Sequence, residues 1–125
     1  MHLTGMVPLL YCESVEDCLA FYQQALNFIV ISQRESDRGL EWVYLMSGNS
    51  CLMLFKNSTL QQEPTNTNAP ILYFYTDEVD ALHQYLKAKG FAPSPLNTTS
   101  FGMREFEIID PHGHRLGIGQ KIQDR

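Results

Sequence analysis

Val7-Pro8-Leu9-Leu10-Tyr11-Cys12-Glu13-Ser14-Val15-Glu16-Asp17 is written a second time, 64 positions on, as Ile71-Leu72-Tyr73-Phe74-Tyr75-Thr76-Asp77-Glu78-Val79-Asp80-Ala81. Tyr11 falls on Tyr75, Val15 on Val79 and Glu16 on Asp80. In each copy a short apolar run gives way to an acidic turn and then to apolar residues at helical spacing, the order strand, turn, amphipathic helix. A repeated unit too small to bury its own apolar face has to pack against its twin, so the repeat sets the architecture before any single residue does.

The remaining elements follow from the same signals. Val15, Cys18, Leu19, Tyr22 and Leu26 recur at helical spacing and form the expected buried stripe of the first helix. After Asn27 come three strand-like stretches, 28–33, 40–46 and 51–55, the last two joined by the turn-forming Ser47-Gly48-Asn49-Ser50. Residues 57–70 are polar, carry Pro64 and Pro70, and read as a linker between the copies. The second copy continues with a strand over 71–76 and a helix over 79–89, stopped by Gly90. It then has strands near 91–92 and over 103–109, a tight turn Asp110-Pro111-His112-Gly113-His114, and a closing strand over 115–119. The expectation is an α+β fold of two βαβββ modules, about 5–56 and about 71–120, in one domain spanning 1–125.

Composition bounds what such a chain does. At 125 residues and 44% hydrophobic content it is long enough to remove roughly two-thirds of its unfolded surface from water. Cys12, Cys18 and Cys51 cannot all pair and match no zinc spacing, so reduced thiols and a cytoplasmic location are expected. The first apolar run, Met6 to Cys12, is too short to span a membrane and has no basic residue before it, so neither a membrane partner nor an export signal is expected. A formal charge of −5 with no Lys/Arg cluster argues against a nucleic-acid partner.

Strand alternation sorts the side chains into two faces. Val43 and Leu45, Leu52 and Leu54, Leu72 and Phe74, Phe106 and Ile108, and Leu116 and Ile118 are the helix-facing pairs. The other face then holds Leu9, Tyr11, Trp42, Tyr44, Met53, Phe55, Tyr73 and Tyr75, together with Glu105, Glu107, Gly117 and Gly119. Rings with a polar tip suit a ligand cleft, and they also suit strands half packed in a second interface. Glu105 and Glu107 point the same way, either as a cation-binding or acid–base pair or as solvated edge carboxylates. No nucleophile elbow or glycine-rich phosphate loop is present in the sequence. Cys12 and Cys51 read as inert packing, and the mixed-charge tip over 34–38 as a solvated loop or a cleft rim. His112 and His114 read as a solvated turn, while His83 and His2 have no partner within sequence reach.

Phe101-Gly102-Met103-Arg104-Glu105-Phe106, followed by Asp110-Pro111-His112-Gly113, resembles the C-terminal signature of bleomycin-resistance-type proteins. These belong to the glyoxalase, or vicinal-oxygen-chelate, superfamily, which also contains extradiol dioxygenases and fosfomycin-resistance thiol transferases. The helix entries Ser14-Val15-Glu16-Asp17-Cys18-Leu19-Ala20-Phe21-Tyr22 and Asp77-Glu78-Val79-Asp80-Ala81-Leu82 are similar to those of the same family, so the resemblance covers nearly the full length. It implies curved mixed sheets around a cleft, and a homodimer in which each cleft is shared by two chains. Enzymes of the superfamily hold a divalent metal through a His or Gln early in a module's first strand and a Glu in its last. The resemblance puts those positions on Val7, Met53, Ile71 and Gly117, a thioether, two aliphatics and a glycine that offer no hard ligand.

The function expected is therefore non-catalytic: sequestration of a small, partly cationic, aromatic compound, with antibiotic resistance of the bleomycin type as the family example. Trp42, Tyr44, Tyr73, Phe101, Glu105 and Glu107 are the expected ligand-binding residues, with no cofactor, no metal and no catalytic group. Two other readings stay open: a metal-dependent lyase, isomerase or dioxygenase of the same superfamily, and a ligand-sensing interaction protein.

Overall fold

In the computed structural model, which describes residues 1–57 and 70–122, the repeat becomes two successive runs of strand, helix and three strands. The first is β1 (Leu9–Cys12), α1 (Val15–Leu26), β2 (Ile29–Ser36), β3 (Gly39–Ser47) and β4 (Ser50–Lys56). The second is β5 (Leu72–Tyr75), α2 (Val79–Ala88), β6 (Asn97–Thr98), β7 (Met103–Ile109) and β8 (Arg115–Lys121). The fold is α+β with two βαβββ modules, and the chain divides into two units, Met1–Thr65 and Asn66–Arg125. Apart from Asn57 and Pro70, the expected linker lies outside the described residues. No described helix is long and apolar enough to cross a membrane.

Local chemistry explains the first helix. Ser14 sits in extended backbone (φ −122°, ψ 108°) and its hydroxyl accepts the Asp17 N–H at 3.1 Å, satisfying one of the amides the first turn leaves open. Glu16 and Asp17 place negative charge at the positive end of the helix dipole. The helix stops where Asn27 turns left-handed (φ 60°), a conformation Asn tolerates better than most residues, and its N–H bonds the Tyr22 carbonyl.

The first unit's sheet has the order β1-β4-β3-β2, with β1 parallel to β4 and the other neighbours antiparallel. Its core is the face under α1, where Cys12, Val15, Cys18, Tyr22, Val43, Leu45, Leu52 and Leu54 are at most 1% exposed. The helical stripe differs from the one expected: Phe21 and Ala25 are buried, while Leu19 and Leu26 are only half-buried. Two adjacent rings account for this. Phe21 and Tyr22 meet edge-on at 5.2 Å and Tyr22 meets Phe28 at 5.6 Å, so the helix is rolled to bury aromatic area that exceeds what a leucine offers.

The second unit's sheet has the order β5-β8-β7-β6, again with one parallel pair, β5 and β8. Val79, Leu86, Phe106, Ile108, Leu116 and Ile118 form its core on the helix side. Gly90 takes a positive φ of 92° just past α2, as expected of a helix stop. The strand expected near 91–92 is instead β6, at Asn97–Thr98. Pro93 and Pro95 lack the N–H that a ladder needs, so pairing in this stretch is confined to Ser94, whose N–H reaches the Glu107 carbonyl at 2.8 Å.

The fold gives the histidines partners that sequence spacing does not show. His83 is not partnerless: Nε2 lies 2.8 Å from the Ser94 carbonyl and the ring packs edge-on against Phe106 at 5.1 Å. The 110–114 turn is exposed at Pro111 and Gly113, while His112 and His114 are half-buried. Asp110, only 3% exposed, accepts the N–H groups of His112 and His114 at 2.9 Å and lies 2.7 Å from His114 Nδ1. A buried carboxylate collecting the turn's own donors is what makes the turn tight.

Deleting core volume under α1 leaves a cavity, so Leu54→Ala is expected to cost about 2–5 kcal/mol. Ser14→Ala, which strips the cap, is expected to cost about 1 kcal/mol. Shifts in the midpoint of urea unfolding check both values.

Candidate functional site

With α2 on one side of the second unit's sheet, the opposite face carries Tyr73 and Tyr75 on β5, Glu105 and Glu107 on β7, and Gly117 and Gly119 on β8, paired in register. Ile71, Tyr73, Tyr75, Phe101, Glu105 and Glu107 are among the residues lining a hollow of about 560 Å³ there. That volume lies in the range of about 300–1,000 Å³ usual for small-molecule sites. A larger depression of about 860 Å³ on the same unit is lined by Tyr75, Asp77, Asp80, Arg104 and Lys121. It is poorer in rings, and its arginine already clamps Asp80 at 2.8 Å, holding that carboxyl below its ordinary value.

Two glycines shape the first hollow. A methyl group on Gly117 would stand 2.7 Å from Tyr73 Cδ1; one on Gly119 would stand 2.7 Å from Cζ and overlap the hydroxyl. The ring of Tyr73 therefore runs along β8 in space that any side chain at either position would fill. From there its hydroxyl donates to Glu105 Oε1 at 2.9 Å, and its ring meets Tyr75 edge-on at 5.5 Å.

The polar groups of this face are unequal. Burial pushes the Tyr73 phenol up to about 12, helped by the hydrogen bond and negative charge of Glu105 and then by Tyr75. The residue as a whole is 39% exposed, but its hydroxyl is the part laid against β8. Tyr73, a protonated donor in the neutral range like any tyrosine, therefore stays one well into the alkaline range. Glu107 is forked by Arg115, with Nη2 2.9 Å from Oε1 and 3.2 Å from Oε2 and Nε 3.2 Å from Oε1. Glu105 has no basic side chain within ion-pair distance among the described residues.

Of the six residues expected to bind a ligand, the structure brings Tyr73, Phe101, Glu105 and Glu107 into one hollow. Trp42 and Tyr44 belong to the first unit, on the sheet face away from α1. There the Trp42 indole N–H donates to Met53 Sδ at 3.2 Å, and Tyr11 and Trp42 each lie 6.3 Å from Phe55. A hydrogen bond with Cys51 holds the Tyr44 phenol above its ordinary value. Sequence reasoning missed Arg115, although alternation across the 110–114 turn sets it opposite Ile109, on the face of Glu107.

The positions that the resemblance assigns to metal ligands do not fit a divalent ion. The side chains of Val7 and Ile71 have no donor atom, and the Met53 thioether, a soft ligand, is engaged by the Trp42 indole. A carboxylate side chain cannot replace Gly117 while Tyr73 occupies the space above it. Among the described residues no group of three or more His, Cys, Asp or Glu is placed to hold a metal.

A family model described as Glyoxalase/Bleomycin resistance protein/Dioxygenase superfamily matches residues 2–118. Among solved structures the fold is similar to that of TioX from Micromonospora sp. ML1, at 15% identity and a TM-score of 0.78, covering 95% of this chain and 99% of that one. It is also similar to TnmS3, an antibiotic binding protein from Streptomyces sp. CB03234, at 23% identity and a TM-score of 0.70, covering 97% and 99%. Lactoylglutathione lyase from Agrobacterium tumefaciens is similar at 21% identity and a TM-score of 0.72, covering 94% and 92%. No curated protein sequence matches the chain.

The raised Tyr73 phenol has a measurable consequence. Above about pH 10 the unfolded chain releases this proton first, so the associated stability, present below that pH, is lost as pH rises toward about 12. Tyr73→Phe removes the group, and the fall in the urea midpoint across this window is expected to be smaller for the variant than for the parent.

Proposed function

We infer the function of this chain from the premise that it belongs to the Glyoxalase/Bleomycin resistance protein/Dioxygenase superfamily: it is a non-catalytic member that sequesters a small, partly cationic, aromatic compound. The observation that carries this reading is the hollow of the second unit, where rings and a carboxylate without a basic partner among the described residues share one face. Tyr73 and Phe101 stack on planar groups of the guest, and Glu105 pairs with its positive charge. We propose Trp42 and Tyr44 as further ring contacts for a guest, on the first unit's sheet face away from α1. Glu107 lines the same hollow with its carboxylate held by Arg115.

Sequestration requires affinity without turnover, which suits a site whose metal-ligand positions hold no hard donor. The likeness to TnmS3, an antibiotic binding protein, supports the same direction, with a bleomycin-type antibiotic as the family example of the guest. We further propose that the protein acts as a homodimer with clefts shared between chains. Exposed apolar residues on the uncovered face, Ile71, Tyr73 and Phe101, support that arrangement. Three free cysteines support a cytoplasmic location. The single family match running from residue 2 to 118 supports treating both units as halves of one domain.

Isothermal titration with metal-free bleomycin tests the binder reading. A dissociation constant between about nanomolar and micromolar is expected, about −12 to −8 kcal/mol. Glu105→Gln is expected to weaken it about tenfold, as the loss of one charge-assisted contact does. Silence up to about 100 µM, well above that range, would remove this drug as a guest. Stoichiometric divalent metal in protein purified without chelator would favour a metal-dependent lyase, isomerase or dioxygenase instead.

A further inference from the structure

Glu105 and Glu107 stand two residues apart on the same face of β7, which separates their Cα atoms by roughly 7 Å. Left to themselves, two such carboxylates would form a double negative site best matched by a guest with two positive centres at similar spacing. Arg115 prevents this. It lies opposite Ile109 and reaches diagonally to Glu107, closing on the carboxylate with Nη2 and Nε at 2.9–3.2 Å. Its guanidinium is charged at any working pH and matches a carboxylate in shape, so the charge of Glu107 is cancelled where it stands. Tyr73, by contrast, gives Glu105 a neutral donor on Oε1 only, which leaves the negative charge in place and Oε2 for a guest.

We propose that Arg115 is a specificity-determining residue that sets the charge the hollow accepts: with Glu107 neutralised, Glu105 is its single open carboxylate, and the hollow seats one cationic centre beside an aromatic ring. The proposal rests on the binder reading above and adds to it the charge count of the guest. A guest with several positive groups places one of them in the hollow. The Arg115–Glu107 pair is about half exposed (48% and 44%), and exposed pairs add little to stability. Its consequence is therefore electrostatic selection of the guest rather than support of the sheet.

Two planar dyes separate the cases by calorimetry: proflavine, with one positive charge near neutral pH, and methyl viologen, with two. The parent is expected to bind proflavine in preference. In Arg115→Gln the affinity ratio is expected to swing about tenfold toward methyl viologen, the effect of uncovering one charge at contact range. Adding Glu107→Gln to that variant is expected to restore the parent ratio, while unfolding midpoints stay close to the parent value. Glu107→Gln alone leaves the guanidinium unpaired and is expected to weaken methyl viologen more than proflavine. An unchanged ratio in either single variant, in a protein that binds proflavine, overturns the proposal and leaves the binder reading intact. A parent that takes neither dye also overturns the proposal; if metal-free bleomycin is silent too, the binder reading falls with it.

Discussion

The ring of Tyr73 rests on two glycines of β8, and the chemistry of the second unit's uncovered face is organised around that contact. Because the ring lies along the neighbouring strand, its hydroxyl arrives beside Glu105 rather than in water. Burial and the adjacent carboxylate then raise the phenol to about 12. The same contact holds Gly117 to being a glycine, since even a methyl group there would strike the ring. One packing event thus shapes the hollow, orients the carboxylate and removes a position that could otherwise carry a metal-binding side chain.

The two units show how one architecture accommodates different surface chemistry. Each places a four-stranded sheet under one helix and buries aliphatic residues between them: Val43, Leu45, Leu52 and Leu54 in the first, Phe106, Ile108, Leu116 and Ile118 in the second. That layer does the folding, since apolar burial is the main favourable contribution for a domain of this size. The opposite faces are free to differ. In the first unit the strand position matching Gly117 is Met53, which receives the Trp42 indole and sits among rings. In the second a glycine pair makes room for a tyrosine and leaves carboxylates in view.

Where the chain's local signals agreed with one another, the structure follows them. Ser14 before an acidic first turn, Gly90 past the second helix and the paired apolar alternation of β3, β4, β7 and β8 all act within a few residues of sequence. The departures have causes of longer reach. β6 is displaced to Asn97–Thr98 by two prolines whose effect depends on which strand they would have to pair with. The buried stripe of α1 is rolled because Phe21 and Tyr22 compete for the same core. His83 finds its partner, the Ser94 carbonyl 11 residues on, only when the segment after α2 folds back.

Periodicity and repetition, read along the chain, were enough to determine the two βαβββ units, their covered faces and, Arg115 apart, which strand residues share the face of Tyr73 in the second unit, because each depends on spacing between near neighbours and on which side of a strand a residue falls. The division of labour on that face was decided by tertiary structure alone. Glu105 and Glu107 are indistinguishable as letters at alternate positions, yet one meets a tyrosine carried across by the parallel β5–β8 pairing and the other an arginine brought back by the β7–β8 hairpin. Charge in a protein is set by what stands within a few ångströms, and that distance is measured across strands, where sequence separation says little.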